Sequence, residues 1–228
     1  MSKSSVLIAT PAYGGNFTLQ YLESIERVTD YLGAQQIPVG TYYIQNESLI
    51  TRARNTCATL ALRKSIDKLF FIDADVGFTK EDFARIYWSE KDIIGGLYPH
   101  KAYPLDLNFN PLKKHITGPV KFSEHVSKFA DDKGELEVEN VATGFLSISL
   151  SVLAKLSSVV ETYTSEHMNG QAETYYDFFG CGPYRGRYET EDWRFCRLAK
   201  EAGFSVHINP KVILTHTGTH TFRFEDTL

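Results

Sequence analysis

Short apolar runs alternate with amphipathic stretches through the first 96 residues of the chain. Val6–Thr10 and Leu69–Ile72 are continuous apolar runs, the signature of strands buried on both faces. Val39–Ile44 and Asp92–Gly95 predict two further strands. Between them, Phe17–Leu32 carries Leu19, Leu22, Ile25, Val28 and Leu32 at helical spacing. Leu49–Ile66 predicts a second helix and Lys80–Trp88 a third, with Thr79 as N-cap and Asp82 three residues on. This β-α-β-α-β-α-β order predicts a mostly parallel sheet flanked by helices.

The regular alternation stops at Leu97. Leu97–Lys121 is rich in Pro, Asn, Tyr and Lys and has no period, which marks a functional or mobile loop. Val126–Phe129 and Glu135–Val141 flank Asp131–Gly134 and predict a hairpin. Leu146–Leu150 predicts a strand leading into a helix around Val152–Leu156. Residues 162–188 read as irregular and aromatic, either a sugar-stacking lip or the packing of a small lobe. Glu189–Ala202 is an amphipathic helix with acids in its first turn, favourable there without any catalysis. Phe204–Ile208 and Val212–Thr215 predict the last strands, before His216 and His220.

Composition narrows the function classes. A chain of 228 residues that is 43% hydrophobic can bury a full core as a single domain. A net charge of -4 gives no electrostatic claim on nucleic acid or a membrane surface. No apolar stretch approaches the roughly 20 residues that span a bilayer. Three widely spaced cysteines make neither a disulfide framework nor a zinc site, which predicts a reducing, cytoplasmic setting.

Candidate chemistry centres on Asp73-Ala74-Asp75, directly after the most apolar strand. Open α/β sheets place ligands at such strand ends. Two carboxylates one residue apart can share a divalent cation, Mg²⁺ or Mn²⁺; the alternative is an acidic turn. Arg52, Arg54 and Asn55 stand at a helix start, where a cation opposes the macrodipole unless it faces an anion such as phosphate. The loop Pro11–Gly15 follows the first strand but lacks the full dinucleotide fingerprint.

In order along the chain, TPAYGG, ITRARN, FFIDADVGF, GGLYPHK, ATGFLSIS, TEDWRFCRLAKEAG and HTGTH resemble the nucleotide-sugar-dependent glycosyltransferases of the GT-A fold. The likeness is to the inverting group with an Asp-x-Asp motif and to related viral and phage-encoded enzymes. It covers nearly the whole chain. It implies an α/β fold with a Rossmann-like, mostly parallel central sheet and a small antiparallel lobe on the acceptor side. It also implies a nucleotide-sugar-binding half at 1–96 and an acceptor-binding, catalytic half at 97–228.

The same resemblance implies a nucleotide site made by Thr10, Pro11, Ala12, Tyr13, Arg52, Asn55, Asp73, Ala74 and Gly144. It implies metal ligation by Asp73, Asp75 and His216, with His216 fitting better than His220. Asp192 would be the general base and Glu191 its substitute. The implied reaction moves a sugar, with inversion, from a nucleotide donor, by resemblance a UDP-sugar, to a glycan or other hydroxyl acceptor. A cation on the leaving diphosphate, Mn²⁺ or Mg²⁺, does an acid's work without a proton.

Two other readings stay open. Asp73-Ala74-Asp75-Val76 matches the nucleophile motif of haloacid-dehalogenase-type phosphatases, although that motif normally sits on the first strand of its domain. A nucleotide-sugar-binding module without catalysis would keep the fold and the metal ligands alone.

Overall fold

The computed structural model describes residues 3–99, 131–166, 172–218 and 221–223. Its elements in order are β1 (Val6–Ala12), α1 (Leu19–Ala34), β2 (Val39–Gln45), α2 (Ile50–Arg63), β3 (Lys68–Ile72), β4 (Val76–Gly77), α3 (Lys80–Tyr87) and β5 (Ile93–Leu97). Then come β6 (Leu136–Val138), β7 (Phe145–Ser149), α4 (Leu150–Leu156), β8 (Thr162–Glu166), β9 (Ala172–Tyr176), β10 (Gly182–Tyr184), β11 (Arg187–Glu189), α5 (Glu191–Glu201), β12 (Val206–Ile213), β13 (Thr215–Thr217) and β14 (Thr221–Arg223).

Seven strands form the central sheet in the order β2-β1-β3-β7-β5-β12-β6. β1, β2, β3, β5 and β12 run one way, while β7 and β6 run against them. The expected parallel core is therefore present but split. β7 inserts between β3 and β5, pairing antiparallel with both.

Alternate side chains of each strand enter opposite layers. Leu7, Leu69, Phe71 and Ile148 pack with Cys57, Ala58 and Ala61 of α2, Leu153 of α4 and Phe195 of α5. On the other face Ile8, Phe70, Ile72 and Phe145 pack with Ile25 and Val28 of α1 and Phe83 and Ile86 of α3. The result is a three-layer α/β/α body. The expected capping box of α3 forms, with Thr79 and Asp82 bonding each other's backbone amides.

Some expectations need correcting. Leu19 and Leu22 are exposed, at 66% and 50%; α1 buries Tyr21, Ile25, Val28 and Leu32 instead. Residues 162–188 are not irregular: two antiparallel hairpins, β8–β9 and β10–β11, lie there. Phe178 and Phe179 beyond the first are fully buried in the core layer of α2 and α5, so they line no sugar lip. Glu135–Val141 contributes β6, which pairs with β12. Its expected partner Val126–Phe129, the 100–121 part of the predicted loop and His220 lie outside the described residues.

Cys57 and Cys196 are buried and free, and burial pushes both thiols up to about 12, so they are inert core residues. No helix among the described residues is long and apolar enough to cross a membrane.

Candidate functional site

β1 and β3 are parallel neighbours, so their C-terminal ends and following loops meet at one edge of the sheet. After β1 the chain turns through Gly14 and Gly15, whose φ values of 72° and 69° lie in the left-handed region where glycine is favoured. After β3, the Val76 amide donates to the Asp73 carbonyl at 3.1 Å, and the Thr18 amide donates to the Ala74 carbonyl at 2.9 Å. The start of α1 thus clamps the Asp-Ala-Asp turn. β4 then pairs with β13 in a register that sets Val76 opposite His216, and the Thr217 amide donates to the Asp75 carbonyl at 2.8 Å. Strand pairing across the chain therefore brings His216 to Asp75.

A cleft of about 640 Å³ opens here. Pro11, Ala12, Tyr13, Asp73, Ala74 and Asp75 line it, joined by Arg54 and Glu191. The Tyr13 ring is 72% exposed at its mouth.

Arg54 is the electrostatic centre. It is 3% exposed; its Nη2 donates to Asp73 Oδ1 at 3.1 Å, and its Nε lies 3.6 Å from Glu191 Oε1. Its guanidinium also lies over the Phe71 ring, 5.4 Å from the centroid. Burial opposes its charge, but the Asp73 and Glu191 carboxylates outweigh it and hold the group above its ordinary pKa. Nε and Nη1 are buried and make no hydrogen bond among the described residues.

Tyr98 lies buried behind the cleft. Its hydroxyl accepts the Gly144 amide at 3.0 Å, and its ring meets His216 edge-on at 5.0 Å. Burial, then the Asp73 carboxylate, push the phenol well above its usual range, so it stays a hydroxyl. Gly144 has no room for a side chain: a Cβ would lie 2.5 Å from the Tyr98 hydroxyl and 2.9 Å from Asp73 Oδ2. Gly144→Ala is expected to displace both groups and to cost about 1–3 kcal/mol of stability, read as a lower denaturation midpoint.

His216 Nδ1 lies 2.8 Å from the Pro99 carbonyl. A carbonyl can only accept, so Nδ1 carries a proton. In the neutral ring the Nε2 lone pair then faces Asp75 Oδ1 at 3.4 Å. Two acceptors this close call for a proton or a cation between them. A divalent ion that takes one or two protein ligands and fills its shell with water and substrate phosphate fits such a pair. Asp73, expected as a third ligand, is turned to Arg54. Among the described residues no group of three or more His, Cys, Asp or Glu side chains converges as a metal site.

The remaining expected residues are placed as follows. Thr10 is fully buried beneath the cleft, its hydroxyl 2.6 Å from that of Tyr21. Arg52 turns away to Glu47, with Nη2 2.9 Å from Oε1, and borders a neighbouring groove. Asn55 is buried against Asp177 and the Phe179 amide. Asp192 sits at the start of α5, where its Oδ1 accepts the Trp193 amide at 2.8 Å and the Thr190 hydroxyl. Glu191, not Asp192, borders the cleft.

Sequence reasoning missed Tyr98, and it grouped Arg54 with Arg52 as an anion-facing cation while the resemblance carried only Arg52 into the site. The signal for Arg54 was present: it shares a helical stripe with the buried Cys57, Ala58 and Ala61, and Arg52 does not.

This architecture is the GT-A glycosyltransferase fold. The sequence matches no family model and no curated protein. Among solved structures it is similar to A197 from STIV, at 17% identity over 94% of this chain and 86% of that one, with a TM-score of 0.53. It is also similar to GalNAc-T7 with UDP, GalNAc and Mn²⁺, at 9% identity and a TM-score of 0.55. That match covers 98% of this chain, which spans 45% of the GalNAc-T7 chain. At such identities the likeness is one of fold.

Proposed function

We propose that the chain is a glycosyltransferase that moves a sugar from a nucleoside-diphosphate donor, a UDP-sugar, to a hydroxyl acceptor with a divalent cation, Mn²⁺ or Mg²⁺. The observation that carries this reading is a cleft lined by Asp73, Asp75 and Arg54, with His216 Nε2 3.4 Å from Asp75 Oδ1 behind it. The UDP and Mn²⁺ named with GalNAc-T7 support the choice of donor and ion.

Asp75 and His216 would hold the cation, which would supply positive charge to the leaving diphosphate. Pro11, Ala12, Tyr13 and Ala74 form the walls against which the nucleotide rests. Arg54 holds the Asp73 carboxylate in place at the cleft floor. Asp192, which accepts two hydrogen bonds on one oxygen, takes the proton of the acceptor hydroxyl as it attacks the anomeric carbon. Attack opposite the diphosphate inverts that centre. Glu191, engaged by Arg54, ties the start of α5 to the donor side. In this reading 1–96 serves the donor and 97–228 the acceptor and catalysis.

The phosphatase reading gains nothing here. Such a phosphatase calls for a second acidic pair near the first, but Asp131 of the Asp131-Asp132 turn bonds Lys91 at 2.9 Å, next to the N-terminal end of β5. Asp73 follows the C-terminal end of β3, at the opposite edge of the sheet.

A thermal-shift panel of UDP-, GDP- and dTDP-sugars, each with Mn²⁺ and with EDTA, tests the reading. At a hundredfold excess over the dissociation constant, one nucleotide class with Mn²⁺ should stabilise the protein by about 2.7 kcal/mol. For a chain of this size that is a rise of roughly 5–11 °C. A folded protein that shifts with none of them contradicts it.

A further inference from the structure

Adjacent residues of α2 reach in two directions. Arg54 binds Asp73 on the donor side. Asn55 turns to the segment between β9 and β10, where its Nδ2 donates to Asp177 Oδ1 at 2.9 Å and its Oδ1 accepts the Phe179 amide at 2.7 Å. The second oxygen of Asp177, Oδ2, pairs with Arg194 Nη2 at 3.0 Å. Arg194 stands on α5, one turn beyond Glu191.

Packing closes the same joint. Phe179 stacks on Phe195 of α5 at 4.7 Å and meets Phe71 of β3 edge-on at 5.3 Å. A Cβ on Gly180 would lie 2.5 Å from Asp177 Oδ2 and collide with the Arg194 guanidinium. The start of α5 also lacks the usual local restraint. Thr190 is its N-cap, but its side chain makes no capping bond and donates to Asp192 instead. Two links tie this helix start to α2, Arg54–Glu191 and Asn55–Asp177–Arg194, while Arg197 holds Glu189 just ahead of the helix at 2.9 Å.

We propose that Asp177 is a positioning residue: bridging Asn55 and Arg194, it fixes the first turn of α5, and so sets Asp192 next to Glu191, which borders the donor cleft. This rests on the transferase reading. Asp177 does not line the cleft and touches no reacting atom. Its loss therefore misplaces the base and leaves the donor site intact. A misplacement of about 1 Å can cost a hundredfold in rate.

The test is steady-state kinetics on wild type, Asp177→Asn, Arg194→Lys and a core control, Leu153→Ala, with donor affinity measured separately by calorimetry. Asp177→Asn is expected to lower kcat about 10–100-fold while donor KM and affinity stay within about threefold. Arg194→Lys, which keeps the charge, should retain more of kcat. Leu153→Ala should lower Tm with kcat nearly unchanged. If Asp177→Asn does not fold, the same split is read on Arg194→Gln, which removes the charge that pairs with Asp177. A kcat within about twofold of wild type, or a fall no larger than that of the control, overturns the inference alone. Absence of turnover by wild type with every nucleotide sugar overturns the transferase reading and this inference with it.

Discussion

Asp75→Ala is expected to lower sugar transfer about a thousandfold. A cation at a leaving diphosphate supplies several kcal/mol of charge stabilisation, and each 1.36 kcal/mol is a factor of ten in rate. The variant should also lose the Mn²⁺-dependent part of nucleotide binding and bind as wild type does in EDTA. Its fold should be intact. Asp75 is held in the turn by its carbonyl, which accepts the Thr217 amide at 2.8 Å, and that bond survives the substitution. A melting temperature near that of wild type, measured without ligand, separates loss of chemistry from loss of structure. His216→Ala should move the same quantities in the same direction by less, because a metal can replace one of two ligands with water. If Asp75→Ala keeps wild-type turnover, the proposed cation site is in the wrong place.

Arg54→Met is the second large effect, and it falls on stability. The Arg54 side chain is 4% exposed and stands between two carboxylates. Removing it leaves Asp73 and Glu191 facing each other without their cation. Breaking a buried ion pair from one side costs about 3–5 kcal/mol. Asp73 and Glu191 are 27% and 19% exposed, so water recovers part of their charge, and about 3 kcal/mol is the expected loss. That corresponds to roughly 6–12 °C in Tm. Arg54→Met combined with Asp73→Asn should be more stable than Arg54→Met alone, since one unpaired charge is gone. Denaturant unfolding of the single and double variants checks both statements, and equal stabilities would show that Arg54 and Asp73 are not coupled.

The order of the first half of the fold was legible because it is local. Continuous apolar runs marked β1 and β3, the Thr79–Asp82 pair marked the start of α3, and the acidic turn fell at the strand end where it was expected. What was not legible depends on partners distant in sequence. Leu146–Leu150 read as a strand, but nothing in five residues states that the strand there, β7, inserts between β3 and β5 and runs against both. Thr162–Glu166 and Ala172–Tyr176 alternate too weakly to announce a hairpin, and their pairing is set by register rather than by a tight turn signal.

The site shows the same division. Asp73, Ala74 and Asp75 were legible as a group because they are consecutive. The meeting of Asp75 with His216 needs β4 and β13, each only two or three residues long. On α2, Arg52 and Arg54 look equivalent as charges in a helix start. Two residues along a helix turn the side chain by about 200°, so only one of them can share the buried face. That one is Arg54, while Asn55, a further 100° round, is buried separately in the joint with Asp177.

The most direct test of the account is release of nucleoside diphosphate by wild-type protein from UDP-, GDP- and dTDP-sugars, with Mn²⁺ and with EDTA. The account predicts release from the uridine donor with Mn²⁺ and none with EDTA. Steady release of inorganic phosphate from a generic phosphate ester, without any sugar nucleotide, would contradict it. So would a folded protein that binds the nucleotide sugar and never turns it over.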